Sequence, residues 1–150
     1  MNHQTILDKL PYTKPFLFVD ELLHIDKKGA RGTYTFSKNL DFYRGHFKNN
    51  PVTPGVILTE CCAQIGLVCL GIYLLEEDTE TPSPTLNIGF SSSEMEFFLA
   101  VRPGGKVVVT SKKIYFRFHK LKCEVKMHDS EGKLICKGIL SGMLKKIKHE

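Results

Sequence analysis

The stretch from Gly45 to Gln64 contains the residue types that acid–base chemistry requires. It reads GHFKNNPVTPGVILTECCAQ and places a histidine, His46, ahead of a carboxylate, Glu60. Histidine is the usual acid or base near neutral pH. A carboxyl group on an apolar helix is desolvated, so its pKa rises and it can hold a proton. Such a pair can eliminate water beside a carbonyl, because one group removes a proton and the other protonates the departing hydroxyl.

A Pro-Gly turn lies between these two groups and opens a predicted helix. The carbonyl oxygen gains negative charge during the elimination, so it needs a hydrogen-bond donor. The N–H of Gly55 or Val56 is the predicted donor, because the first N–H groups of a helix lack partners and Gly55 carries no obstructing side chain. Gln64 lies one turn after Glu60 and shares its helix face.

Structural roles compete with the catalytic interpretation at each of these positions. A single histidine beside glycine and phenylalanine is more often structural than catalytic, and a buried Glu60 can simply pair with Arg44. A Pro-Gly step before a helix is also common. The combination, rather than any one residue, therefore indicates an active site.

Hydrophobic patterning predicts one α+β domain, residues 1–150, built on a single long helix. The run 56–75 is apolar almost all round, which is typical of a buried central helix. It is also long enough to cross a bilayer. Glu60 and Gln64 would then need partners in hydrocarbon, and no flanking Lys/Arg cluster or aromatic belt supports a span, so we predict none.

Alternating and β-branched residues predict strands on both sides of this helix. A hairpin precedes it, with strands at 16–25 and 30–36 joined by a turn in which Gly29 suits a positive φ. The strands predicted after the helix are 86–98 (long or bulged), 106–118, 121–127 and 133–145. One sheet cannot cover a helix that is apolar all round, so a second copy with two-fold symmetry is expected to complete the burial.

Composition narrows the classes of partner. The net charge of +5 favours an acidic partner, but no element combines a basic stripe with interleaved aromatics, so nucleic acid is not expected. The five cysteines show no metal-site spacing and are predicted to be buried free thiols in a reducing cytosol. No metal or cofactor is predicted, and the N-terminal residues do not resemble a signal peptide.

The central stretch also resembles a known family. The pattern GHFPxxPxxPGVxxxExxAQ of the FabZ-type 3-hydroxyacyl-acyl carrier protein dehydratases, which have the hot-dog fold, is matched without insertion. Leu10-Pro11, Pro15-Phe16-Leu17 and Val19-Asp20 resemble the family's N-terminal motif, and the likeness extends to the last strand. The matching residues of the central pattern are Gly45, His46, Phe47, Pro51, Pro54, Gly55, Val56, Glu60, Ala63 and Gln64.

The resemblance implies a fold, a reaction and a site. The fold is an antiparallel sheet wrapped around one long helix. The reaction is dehydration of (3R)-3-hydroxyacyl thioesters on acyl carrier protein to trans-2-enoyl thioesters, in fatty-acid or polyketide/polyene synthesis in the cytoplasm. His46 and Glu60 would be the catalytic pair, contributed by opposite subunits of a dimer or of a trimer of dimers. Gly55 would bind the thioester oxygen, and Gln64 would orient Glu60.

The chain departs from the family pattern at three places. Lys48 replaces a common proline, the segment 12–14 replaces His-Arg-Tyr, and the segment 91–94 replaces a basic stretch. None of these departures replaces His46 or Glu60. They leave the length of the acyl chain, the pathway and the surface that binds the carrier protein open. Two other functions stay open as well: a hot-dog acyl thioesterase, in which the helix carboxylate activates water, and a non-catalytic acyl- or carrier-binding subunit.

Overall fold

The structure is a computed structural model and describes residues 2–77 and 86–146. A short helix comes first, followed by a hairpin, a long loop, the central helix and four more strands. The central helix has three parts, which are Gly55–Ala63, the π-helical Gln64–Val68 and Cys69–Glu77. The other elements are α1 (His3–Asp8), β1 (Glu21–Asp26), β2 (Gly29–Thr35), a 3₁₀ helix in the long loop (Asp41–Arg44), β3 (Leu86–Phe97), β4 (Lys106–Arg117), β5 (Lys120–Asp129) and β6 (Leu134–Lys146).

The six strands form one antiparallel sheet in the order β1-β2-β4-β5-β6-β3. The alternation predicted for β5 is confirmed, because Leu121, Cys123, Val125 and Met127 are all fully buried. At the sheet edge, β3 pairs with β6 and carries the expected bulge, just after Phe90. The inner face of the sheet wraps the central helix, so the predicted hot-dog arrangement is confirmed.

The central helix begins directly after Pro54, whose carbonyl oxygen accepts hydrogen bonds from the N–H groups of Ile57 (2.9 Å) and Leu58 (3.1 Å). Proline is well tolerated here because the first turn needs no donor from it. The helix has a mean hydropathy of 1.9 and the length of a bilayer span, yet 72% of its most apolar stretch is buried inside the fold. It is therefore the core helix of this fold, as predicted.

The middle of this helix departs from α-helical geometry. Over Gln64–Val68 the turns are π-helical, and the N–H of Cys69 bonds to the carbonyl of Gln64 five residues earlier. Single π turns inside α-helices are often found at functional sites. The sequence pattern did not predict this feature.

Two expectations about the first hairpin were wrong. β1 begins at Glu21 rather than near Phe16, because the backbone groups of Phe16 and Phe18 bind the Gln64 side chain instead of a neighbouring strand. Gly29 does not have a positive φ. It is needed for space, since a Cβ there would overlap the carbonyl oxygen of Ser111. The five cysteines, by contrast, are free and buried as predicted.

Candidate active site

Glu60 is held on the second turn of the central helix, where it is only partly exposed. Burial raises the pKa of its carboxyl group, and a hydrogen bond from Gln64 acts in the opposite direction. Desolvation is the larger of the two effects, so the carboxyl group keeps its proton to higher pH than an exposed glutamate does. A carboxyl group in this state can act as a general acid.

The side chain of Gln64 fixes this carboxyl group in place. Gln64 is fully buried, and its Nε2 donates to Glu60 Oε2 at 2.9 Å and to the carbonyl oxygen of Phe16 at 2.9 Å. Its Oε1 accepts from the N–H of Phe18 at 2.8 Å. All three bonds use different hydrogens or lone pairs of one amide. Gln64 therefore ties the 16–18 segment to the helix and orients Glu60.

Glu60 faces a small pocket between the helix, the N-terminal segment and the sheet edge. The cavity measures about 140 Å³. A dry apolar cavity of about this size is large enough for a benzene ring. Besides the carboxyl group, its walls are mainly apolar or aromatic and include Tyr12, Phe16, Ala63, Leu67, Ile88 and Phe90.

His46 lies in the loop ahead of the helix and is held by backbone groups. Its Nδ1 lies 2.9 Å from the carbonyl oxygen of Val52, and the N–H of Val52 donates back to the carbonyl of His46 at 2.9 Å. A carbonyl oxygen can only accept, so Nδ1 carries the hydrogen and Nε2 keeps the free lone pair. Phe47 stacks on the imidazole with ring centroids 4.1 Å apart. Nε2 is thus the ring nitrogen of His46 that can accept a proton.

A single chain does not bring His46 and Glu60 together. No hydrogen bond or ion pair joins them within the described ranges, and His46 is not among the residues lining the Glu60 pocket. The alternative partner, Arg44, instead approaches Asp41 at 4.0 Å. In the described part of the chain, no cluster of His, Cys, Asp or Glu is suited to a metal ion.

The N-terminus of the central helix presents donors to solvent. In the described structure the N–H groups of Gly55 and Val56 have no acceptor, because no helical turn precedes them and the carbonyl of Pro54 accepts from Ile57 and Leu58 instead. The side chain of Val56 is 76% exposed. The ring of Phe97 lies against Gly55, 3.4 Å from where a Cβ would be. These two donors are placed to bind an oxygen that arrives from outside the chain.

Sequence reasoning did not identify several residues that shape the site. Tyr12 and Phe16 line the pocket, the Val52 carbonyl holds His46, and Phe97 covers Gly55. Phe16 belonged to the N-terminal motif, but nothing in that motif indicates a bond to Gln64. A backbone carbonyl such as that of Val52 leaves no mark on residue type, so only the folded loop reveals it.

Comparison with known proteins identifies the family. A FabA-like domain matches residues 10–138. The chain is 32% identical over 137 residues to 3-hydroxyacyl-acyl-carrier-protein dehydratase FabZ of Caldicellulosiruptor saccharolyticus, covering 91% of this chain and 93% of that one. It is 33% identical over 141 residues to the FabZ of Caldicellulosiruptor bescii, covering 93% and 95%.

Solved structures agree on the fold. A dehydratase heterocomplex from Xenorhabdus doucetiae superposes with a TM-score of 0.77 at 13% identity, over 93% of this chain and 90% of that chain. A thioesterase from Haemophilus influenzae gives 0.61 at 18% identity, over 87% and 81%. Both activities are thus found on this fold, and the sequence relatives decide between them. The chain belongs to the FabA-like family and is related to the FabZ dehydratases over more than nine-tenths of both chains.

Proposed function

We propose that the chain is a hydro-lyase that removes water from 3-hydroxyacyl thioesters carried on acyl carrier protein. The observation that carries the proposal is the Glu60 carboxyl group, which has a raised pKa, is fixed by a buried amide and faces an apolar pocket. The relatives of the chain are named for the same reaction. A protonated carboxyl group in such a pocket suits the protonation of a leaving hydroxyl.

The roles of the other residues follow from the reaction. His46 takes the proton from the carbon beside the thioester carbonyl through Nε2, and that C–H electron pair becomes the new double bond. The bond from the next carbon to oxygen breaks, and the oxygen leaves as water with the proton of Glu60. The N–H groups of Gly55 and Val56 bind the thioester oxygen while it carries negative charge. Gln64 keeps Glu60 oriented throughout.

We further propose that two copies of the chain build each site. His46 and Glu60 are not joined within one chain, which calls for His46 of a second copy to meet the pocket. Among the described strands, β3 lies at the sheet edge and pairs with β6 on one side, so its other side can pair with a second copy. Large exposed side chains cluster on and beside that strand and the helix start, namely Val56, Phe90, Phe97 and Phe98. The expected assembly is a dimer or a trimer of dimers.

The carrier protein and the pathway complete the proposal. Acyl carrier proteins are acidic, so the net charge of +5 suits such a partner. The 3-hydroxyacyl chain would be of the (3R) form and the product a trans-2-enoyl thioester, in fatty-acid or polyketide/polyene synthesis. The enzyme would act in the cytoplasm, where its buried thiols stay reduced.

Mass spectrometry of the acyl carrier protein tests this function. We would incubate purified protein with 3-hydroxyacyl carrier protein, comparing wild type with Glu60→Gln, which keeps the size of the side chain but cannot supply the proton. Loss of one water with wild type only is the expected result. Release of the whole acyl group would identify a thioesterase instead. An unchanged acyl group at every chain length would point to a binding subunit.

The same assay can test the oxygen-binding role of Gly55. Gly55→Pro removes one N–H at the first helical residue, where proline is tolerated, and the extended ψ of 139° at Pro54 accepts a following proline. Loss of an oxyanion donor lowers kcat by about 10²–10³-fold. Gly55→Ala keeps the N–H and is the matched control. Equal rates in the two variants would remove Gly55 from the mechanism.

A further inference from the structure

Tyr12 is a second polar group on the wall of the Glu60 pocket. It is partly buried, and its ring packs near Phe16 with centroids 6.3 Å apart, so it is held at the pocket wall. Its hydroxyl has no hydrogen-bond partner in the described structure. The hydroxyl is also not fully buried, so it is an accessible donor that a ligand in the pocket can engage.

Glu60 and Tyr12 line the same pocket, and each keeps a polar atom that a ligand can bind. Glu60 Oε2 is engaged by Gln64, so Oε1 remains for a ligand. No hydrogen bond joins Tyr12 to Glu60, although the charge of Glu60 acts on Tyr12 and, after burial, is the next cause that raises the pKa of its phenol. The phenol therefore stays protonated and can donate over the whole working pH range.

We propose that the Tyr12 hydroxyl donates a hydrogen bond to the substrate's 3-hydroxyl oxygen, the oxygen that leaves as water. This inference rests on the proposed function. As the carbon–oxygen bond breaks, its electron pair stays on the oxygen, which takes the Glu60 proton. Tyr12 transfers no proton. Its hydrogen bond to the oxygen strengthens as negative charge builds there, so it lowers the barrier more than it aids binding.

An apolar role for the Tyr12 ring is the competing explanation. The ring could serve only as part of the pocket wall, next to Phe16 and Phe90. The two roles separate cleanly, because Tyr12→Phe removes the hydroxyl and keeps the ring. Tyr115→Phe is the matched control, since Tyr115 lies on β4 outside the pocket with the Arg117 guanidinium 4.3 Å from its ring centroid.

The first measurement is the rate of dehydration by wild type, Tyr12→Phe and Tyr115→Phe. We expect Tyr12→Phe to lower kcat about tenfold and to raise KM about threefold, because the hydrogen bond already forms in the bound substrate and strengthens as charge builds on the oxygen. Tyr115→Phe should match wild type. Thermal unfolding of all three proteins should coincide, because the ring packing is retained. A kcat of Tyr12→Phe within twofold of wild type would overturn the proposal.

The second measurement asks whether Tyr12 recognises the hydroxyl itself. In a His46→Ala background, which prevents turnover, we would titrate the 3-hydroxyacyl pantetheine and the saturated acyl pantetheine of equal length. With Tyr12 present the hydroxylated ligand should bind about threefold to tenfold more tightly, and Tyr12→Phe should abolish most of that preference. An undiminished preference would overturn the role of Tyr12. This result stands even if wild type fails to dehydrate, which would overturn only the proposed function.

Discussion

Glu60 and His46 are held in opposite ways. Glu60 stands on a helix packed into the core, and its orientation depends on Gln64, which is fully buried. His46 stands in a surface loop, and its orientation depends on the backbone carbonyl of Val52. The proposed acid is therefore coupled to the stability of the whole fold, whereas the orientation of the proposed base depends on the conformation of one loop.

The surroundings of Glu60 are enclosed, whereas those of His46 are exposed. The pocket beside Glu60 is formed by the chain itself and is already enclosed on several sides. Beside His46 the ring of Phe47 is 56% exposed, and at the helix start Val56 is 76% exposed. Large apolar groups left in water indicate a surface that another molecule covers. One half of the candidate site is thus preformed, and the other half lies on a surface suited to a second copy, as the proposed shared site requires.

The largest effect is expected from removing the base. His46→Ala should lower kcat by about 10²–10⁴-fold, because it removes the general base. The free energy of unfolding should change by less than about 1 kcal/mol, because His46 is on a surface loop. Steady-state kinetics and urea unfolding would check both. Activity within tenfold of wild type, or a large loss of stability, would break the contrast between the two residues.

A smaller effect on rate but a larger one on stability is expected at Gln64. Gln64→Met keeps the volume but leaves the Phe18 N–H and the Phe16 carbonyl without their partner, which costs about 2–4 kcal/mol of unfolding free energy. Gln4→Met is the control, since Gln4 is exposed and bonds only to Asp8. Urea unfolding should show the loss for Gln64→Met alone. Equal stability of the two variants would mean that the buried amide does not couple Glu60 to the fold.

The smallest effect concerns pH. The pKa of Glu60 is higher in the folded chain than in the unfolded one, so the folded state binds the proton more tightly. This contribution to stability is complete below the unfolded carboxyl pKa of about 4.3 and is lost as pH rises through the folded value. Glu60→Gln does not titrate, so its melting temperature should rise relative to wild type as pH increases. A gap that narrows with rising pH would show that Glu60 is not desolvated.

Much of the fold could be predicted from the sequence because its signals are local. The apolar run 56–75 indicated the core helix, and alternation indicated the strands after it. The start of β1 was missed because Phe16 and Phe18 look like strand residues, while their backbone groups bind a side chain far along the chain. The reason for Gly29 was also missed, since it depends on Ser111 in a strand that the sequence does not place beside it.

The sequence indicated some features of the candidate site and missed those that depend on the folded chain. Residue types and spacing were enough to select His46, Glu60, Gly55, Val56 and Gln64, and their catalytic roles remain proposals. Helical spacing placed Gln64 on the same face as Glu60, and the family resemblance implied that it orients the carboxyl group. The sequence did not indicate that Nδ1 of His46 carries the hydrogen, because this depends on the folded conformation of the loop. Tyr12 was noticed only as a departure from the family pattern, since nothing local indicates that it shares a pocket with a helix.

The π-helical segment Gln64–Val68 has a consequence for the angular phase of the central helix. One extra residue in a turn offsets everything after it by about 100° relative to a continuous α-helix. Glu60 and Ala63, which come before this segment, and Leu67, which lies within it, line the pocket. After the segment, Gly71 meets Leu144 on the sheet. The extra residue thus sets the angle between the helix face that lines the pocket and the helix face that packs on the sheet. Deleting one residue in this segment would rotate one face away from its partner.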